Sequence, residues 1–106
     1  MPAEVRVRAD RLAQAVADIF AAAGVAPQAA AAVAEDLVAA DLDGVASHGV
    51  MLVPMYVERI RAGSVSTREA GTVVSDQGAA IVIDAHDALG QLTARQAGEL
   101  AATRAA

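Results

Sequence analysis

Ser47 and His48 are the residues whose types and position in this sequence best suit chemistry, and Gly49 follows them directly. An imidazole titrates near neutral pH, so His48 can give a proton to an alkoxide or take one from an alcohol. The Ser47 hydroxyl can hold a substrate oxygen. Both residues lie between a loop and the start of a predicted helix, where unpaired backbone N–H groups favour negative charge. The pair therefore indicates a site for a carboxylate or a developing oxyanion.

The same pair also permits a structural interpretation, which its spacing alone favours. Ser47 would then cap the helix, and His48 would be a surface or packing residue. A lone Ser-His pair is common, and a nucleophilic serine would need a third group to orient the base. Only the longer sequence context can decide between the two interpretations.

The remaining polar residues carry weaker signals. His86 follows a predicted strand and is interpreted as a solvated turn residue, with Asp84 and Asp87 capping the turn. Glu35 and Asp36 fall on the exposed side of a predicted helix and are interpreted as solvated. There is no cysteine, and the two histidines are isolated, so no metal site is expected. The glycines form no G-x-G-x-x-G fingerprint, so the sequence offers no dinucleotide loop of its own.

Composition limits the partners and the core. The net charge is -5, and the eight basic residues are all arginines spread along the 106-residue chain, so nucleic acid is not an expected partner. The hydrophobic content is 56%, but 29 residues are alanine, so the core should be thin and stabilised by a partner or by further chain. A charged N-terminus and the lack of about 18 consecutive apolar residues favour a soluble, cytoplasmic protein without membrane contact.

Hydrophobic periodicity predicts an α+β fold. Helices are expected over residues 10–23, 27–42 and 49–62, then strands over 72–75 and 80–84, and a last helix over 91–106. A short strand over residues 5–8 is a further expectation. The last helix has no capping residue at its end, which predicts that the natural chain continues.

Particular residues are expected to bound and bury these elements. Asp10 should cap the first helix and Gly24 should end it, while Pro27 suits the first turn of the second. Asp76, Gln77 and Gly78 should form the hairpin turn. The expected buried faces are Leu12, Val16, Ile19, Phe20 and Ala23 in the first helix, Ala30, Val33, Leu37 and Val38 in the second, and Met51, Pro54, Val57 and Ile60 in the third.

The context of the Ser-His pair resembles a known signature. Residues 40–50 read A-D-L-D-G-V-A-S-H-G-V, and Pro54 and residues 56–63, Y-V-E-R-I-R-A-G, follow. This segment, together with Ile83-Asp84 and Leu89-Gly90-Gln91, is similar to the malate/L-lactate dehydrogenase family of nicotinamide-dependent enzymes without a Rossmann domain. The resemblance runs from about Leu12 to the end of the chain.

The resemblance implies hydride transfer between NAD or NADP and a 2-hydroxy or 2-oxo acid in a homodimeric enzyme. It implies His48 as the catalytic proton donor, Ser47 beside the substrate and Tyr56 near the same pocket. The nicotinamide-binding domain would lie downstream, so this chain would be a partial domain that is inactive alone. Family members commonly carry arginine where this chain has Leu52. If the helix begins by His48, residue 52 shares its face and lies within reach of a substrate carboxylate.

Two other function classes remain open at this stage. The second and third helices could form a helix-turn-helix regulator, but the acidic charge and the absence of basic residues before Arg59 on the third helix disfavour it. Alternatively, the chain could be a non-catalytic oligomerisation or interaction module derived from the dehydrogenase family. Nothing in the sequence excludes that.

Overall fold

The computed structural model describes residues 5–106 and confirms the predicted α+β class. Within that range, two 3₁₀ turns, Ala46–His48 and Val50–Leu52, precede the third helix. The hairpin strands pair antiparallel. The elements in order are helix α1 (Ala9–Ala22), helix α2 (Pro27–Leu42), helix α3 (Val53–Ala62), strand β1 (Thr72–Asp76), strand β2 (Ile81–Asp84) and helix α4 (Gly90–Ala105).

The core lies mainly between α1 and α2. The predicted buried face of α2 is confirmed, and Ala30 and Ala34 are fully buried there, which lets the two helices approach closely. In α1 the prediction is correct for Val16 and Phe20 and wrong for Ile19, whose side chain is 45% exposed. The buried cluster comprises Val16, Phe20, Val25, Ala29, Ala30, Val33, Ala34, Leu37, Val53, Leu89 and Leu92.

Both helices of this pair end at a glycine in the left-handed region, as predicted for the first. Gly24 has a φ of +105° and Gly44 a φ of +78°. At each end the N–H groups of the glycine and of the next residue bond to carbonyls of the last helical turn, which is the Schellman arrangement. Pro27 occupies the first turn of α2 as expected. The chain therefore leaves α2 in a defined direction.

The start of α1 differs from the prediction. Residues 5–8 form no strand, because Val5 and Val7 are 81% and 59% exposed and so have no buried face to line. The helix begins at Ala9 without a side-chain cap, so the prediction that Asp10 caps it is wrong. Asp10 lies in the first turn, where its carboxylate accepts the Arg11 N–H at 2.9 Å. A carboxylate there interacts favourably with the helix dipole without being the cap.

The hairpin turn forms where the sequence predicts it. The Asp76 carboxylate accepts the Gly78 N–H at 3.0 Å, and Gly78 has a φ of +80°. The strand register shifts between Val73 and Ser75, so the ladder is irregular near its middle.

Polar contacts attach α4 to α2 and to the start of β1. The Gln96 side chain accepts the Gly71 N–H at 2.7 Å and donates to the Gly71 carbonyl at 3.0 Å. The Arg95 guanidinium donates to both carboxylate oxygens of Asp36, at 3.0 and 2.7 Å. Asp36 therefore joins two helices, which corrects the interpretation that it is merely solvated.

A third polar contact joins the end of α4 to the hairpin turn. Arg104 donates to both oxygens of Asp76, at 2.9 and 2.5 Å. The hydrogen bonds from Arg104 and from the Gly78 backbone lower the pKa of Asp76 to about 2. The turn that Asp76 caps is thus fixed to the helix packed beside it.

Candidate active site

The Ser-His segment forms two 3₁₀ turns, and the second leads directly into α3. His48 donates its N–H to the Val45 carbonyl at 3.0 Å, and Gly49 donates to the Ala46 carbonyl at 3.1 Å. Gly49 then adopts an extended conformation, with φ −98° and ψ −153°, and α3 begins only at Val53. The helical segment predicted from about residue 49 thus begins as a 3₁₀ turn at Val50, with Gly49 as its N-cap, and becomes α-helical at Val53.

Ser47 and His48 are exposed and bonded to each other. The Ser47 Oγ lies 2.9 Å from the His48 Nδ1. Ser47 is the cap residue neither of the 3₁₀ turns nor of α3. The Ser47 hydroxyl therefore bonds to the imidazole and does not cap a helix. This disfavours the structural interpretation of Ser47. Because Nδ1 is engaged, Nε2 is the ring nitrogen left for a substrate.

Asp41 supports this segment from the end of α2. Its half-buried carboxylate accepts the Val50 N–H at 3.0 Å through Oδ2. It also lies against the α-carbon of Gly49, where an added Cβ would overlap it. The role of Asp41 could not be predicted from the sequence, because the bond joins residues nine positions apart and follows no helical or strand period.

Tyr56 lies on α3 and packs toward the core. Its ring centroid is 6.4 Å from that of Phe20, and its hydroxyl oxygen receives the Gln91 amide donor at 3.4 Å. The Gln91 Oε1 is buried without a hydrogen-bond partner among residues 5–106. Within the same range, no hydrogen bond joins Tyr56 to Ser47 or His48. Gln91 is thus a neighbour of Tyr56 that the sequence did not predict.

Leu52 does not lie where the sequence predicts. It ends the second 3₁₀ turn and packs half-buried against the hydrophobic core. The predicted i to i+4 relation with His48 requires a continuous helix, and the extended Gly49 prevents it. The expected burial of Met51 and Pro54 is also wrong, since both side chains are exposed while Val53 is buried.

His86 is held in a tight turn rather than solvated. Its φ is +53°, its Nε2 lies 2.7 Å from the Thr72 hydroxyl, and its side chain is only 29% exposed. The Asp84 carboxylate accepts the His86 N–H at 2.9 Å, so Asp84 does cap the turn as predicted. The Ser66 hydroxyl donates to the His86 carbonyl at 2.8 Å. The second histidine therefore links β2 to β1 and to the preceding loop.

Residues 5–106 hold neither a metal-binding cluster nor a helix that could span a membrane. Among residues 5–106, no three or more histidine, aspartate or glutamate side chains cluster as a metal ion would require. In that same part of the chain, no helix has both the length and the apolar character needed to span a membrane.

The fold is shared with solved dehydrogenases. The structure of malate dehydrogenase from Pyrococcus horikoshii superposes with a TM-score of 0.91 at 35% identity, covering 95% of this chain and 29% of that one. Sulfolactate dehydrogenase from Methanocaldococcus jannaschii gives a TM-score of 0.89 at 29% identity, covering 93% of this chain and 29% of that one. The chain thus has the fold of a part of these dehydrogenases.

Sequence comparison identifies the family. The profile described as malate/L-lactate dehydrogenase matches residues 7–106, and the chain belongs to that family. Malate dehydrogenase from P. horikoshii is 35% identical over 101 residues, which are 95% of this chain and 28% of the relative. Hydroxycarboxylate dehydrogenase B from Escherichia coli K12 is 35% identical over 79 residues, which are 74% and 22% respectively. The chain thus spans about a quarter of the length of these relatives.

Proposed function

We propose that this chain supplies the acid/base part of an NAD- or NADP-dependent dehydrogenase that interconverts 2-hydroxy and 2-oxo acids. His48 is the acid/base residue. The observation that carries the proposal is the 2.9 Å contact between the Ser47 Oγ and the His48 Nδ1, on an exposed turn within the family's signature. The names of the relatives support a hydroxy-acid substrate, since they are malate and hydroxycarboxylate dehydrogenases.

The two side chains have separate parts in the reaction. Protonated His48 donates its Nδ1–H to the Ser47 oxygen, which orients the ring and leaves the Ser47 O–H to donate to a second oxygen of the substrate. His48 transfers its Nε2 proton to the carbonyl oxygen as the carbonyl is reduced, and takes the proton back in the oxidative direction. General-acid help of this kind accelerates a reaction by about 100-fold to 10,000-fold. Tyr56 is proposed to contact the substrate in the same pocket.

The nicotinamide, when bound, supplies or accepts the hydride. The donor set of the described residues does not fit the dinucleotide phosphates, since it includes neither a glycine-rich phosphate loop nor a basic cluster. We therefore assign cofactor binding to residues outside this chain in a complete enzyme, which we expect to be a cytoplasmic homodimer. The chain by itself should not turn over 2-oxo acids.

The test is a chimera that joins residues 1–106 to the downstream part of the P. horikoshii malate dehydrogenase. With NADH and oxaloacetate, His48→Gln should lower kcat by about 100-fold or more, because the proton donor is lost. His86→Gln is the matched control and should retain activity, because that ring bonds to Thr72 in the hairpin.

Retention of full kcat by the His48→Gln chimera would exclude the acid/base role. Steady turnover by the unfused 106-residue chain that depends on His48 would contradict the assignment of cofactor binding to residues outside it.

A further inference from the structure

The Asp41 side chain bonds the Ser-His turn, which comprises residues 46–52, to the end of α2. Three backbone bonds within the turn are local, with donors at His48, Gly49 and Leu52 and acceptors three residues earlier. The bond from the Val50 N–H to the Asp41 Oδ2 reaches instead to the last turn of α2. A carboxylate acceptor makes this bond stronger than one between neutral groups.

Gly49 is shaped to receive that carboxylate. Gly49 is buried although Ser47 and His48 before it are exposed. An added Cβ at Gly49 would overlap all three carboxyl atoms of Asp41, so the fit requires the absence of a side chain. The carboxylate therefore contacts both Gly49 and Val50, the two residues that directly follow His48.

The position of Asp41 is unfavourable for α2 itself. The last turn of α2 contains Asp41, Asp43 follows as the cap, and no basic residue balances them there. Negative charge near the C-terminus of a helix opposes the helix dipole. The hydrogen bond from the Val50 N–H compensates this unfavourable interaction for Asp41, whereas Asp43 is exposed. The two aspartates thus form a natural pair for comparison, since they share the helix end and differ in this contact.

We propose that Asp41 is a positioning residue for His48. By fixing the Gly49–Val50 peptide against α2, its carboxylate sets the backbone direction from which the imidazole projects, and so keeps Nδ1 within bonding distance of the Ser47 hydroxyl. The relevance of this to catalysis rests on the proposed function of His48. The positioning of the His48 ring by Asp41 is a property of the folded chain, so it can be tested without turnover.

The first experiment is NMR on the 106-residue chain, using the imidazole ¹⁵N shifts of His48 and the exchange rate of the Val50 amide. The spectra are recorded at about pH 9, where histidine rings are neutral and report their tautomer. Asp41→Ala should accelerate exchange of the Val50 amide by about 10-fold or more, because a charge-assisted hydrogen bond is lost. It should also move the His48 shifts to the averaged values of an unbonded ring.

Two variants accompany it. Asp41→Asn keeps a neutral acceptor and should give intermediate values for both signals, whereas Asp43→Ala should leave both at their original values. The proposal is wrong if the His48 shifts stay unchanged in Asp41→Ala while the Val50 amide is exposed, because Asp41 then only caps the turn. If Asp41→Ala does not fold, Asp41→Asn carries the test, and unchanged His48 shifts in that variant would refute the proposal.

The second experiment uses the chimera described above. Asp41→Asn should lower kcat several-fold with little change in KM, and Asp43→Asn should change neither. Displaced His48 shifts in Asp41→Asn, together with an active His48→Gln chimera, would refute the proposed function and leave the positioning role intact. An unchanged kcat in Asp41→Asn despite displaced shifts would refute positioning for catalysis.

Discussion

At the scale of single residues, the structure changes the interpretation of Leu52 from a substrate contact to a packing residue. The sequence predicts that residue 52 lies within reach of a substrate carboxylate, which an arginine there would bind. The side chain instead packs half-buried against the core. An arginine there would place a charge against apolar groups, and the apolar stem of the leucine would be lost.

We therefore expect Leu52→Arg to destabilise the chain by about 1–3 kcal/mol. Met51→Arg is the matched control, because Met51 is adjacent and 65% exposed, and it should leave the melting temperature nearly unchanged. Thermal unfolding followed by circular dichroism measures both. Equal melting temperatures for the two variants would show that Leu52 faces solvent or a pocket after all.

At the scale of elements, the contact of α4 with the hairpin turn should make stability depend on pH. The pKa of Asp76 is lowered from 3.8 to about 2 by its bonds to Arg104 and to the Gly78 backbone. A lowered folded pKa means that the contribution to stability is complete above about pH 5 and is lost as the pH falls through the folded value. Asp76 is exposed, so solvent screens the interaction and the effect is modest.

The measurement is the melting temperature between pH 5 and pH 2 for the original chain and for Asp76→Asn. The variant should melt at a lower temperature at pH 5, and the two curves should converge toward pH 2, where Asp76 protonates in both states. Asp43→Asn controls for the loss of one negative charge. Parallel curves for the original chain and Asp76→Asn would contradict the role of this contact.

Regular elements could be predicted from the sequence because their signals are periodic and local. The buried face of α2, the glycine that ends α1 and the Asp76-Gln77-Gly78 turn each follow from residues close in sequence. The Ser-His turn could not be predicted in the same way. Its shape depends on the contact between Asp41 and Val50, which are nine residues apart and follow no helical or strand repeat. An α-helix that already begins at residue 49 was equally consistent with the local sequence.

The candidate site was predicted less completely than the fold. Ser47 and His48 were found from residue type and resemblance, and the structure brings them together. Gln91, the neighbour of Tyr56, was missed because their contact spans 35 residues. The turn at His86 was predicted, but the contact of its ring with Thr72 was not, because the two residues are 14 positions apart.

At the scale of the whole molecule, the chain is extended for its length. Its Cα radius of gyration is 15.5 Å and its extents are 55 × 32 × 22 Å, whereas a compact domain of this size has a radius of about 13 Å. Its accessible surface is 6972 Å², against about 5,500 Å² for a typical monomer of the same mass. Part of that surface is apolar, since the hairpin residues Val73, Val74 and Val82 are 43%, 59% and 54% exposed.

We therefore expect the isolated chain to self-associate or to be only marginally stable. Sedimentation velocity over a range of concentrations and a thermal melt measure the two properties. Val74→Lys and Val82→Lys should weaken association, because they place charge on the exposed apolar part of the hairpin. A compact monomer with a cooperative melt at high temperature would contradict this expectation.

The bond between Asp41 and Val50 also has a consequence for the order of folding. It closes a loop of nine residues, whereas the contacts of α4 with Gly71 and Tyr56 close loops of 25 and 35 residues. Shorter loops cost less entropy to close and form sooner. The Ser-His turn can therefore assemble on the α1 and α2 pair before α4 docks. Pulse-labelling exchange should protect the Val50 amide earlier than the Gly71 amide during refolding.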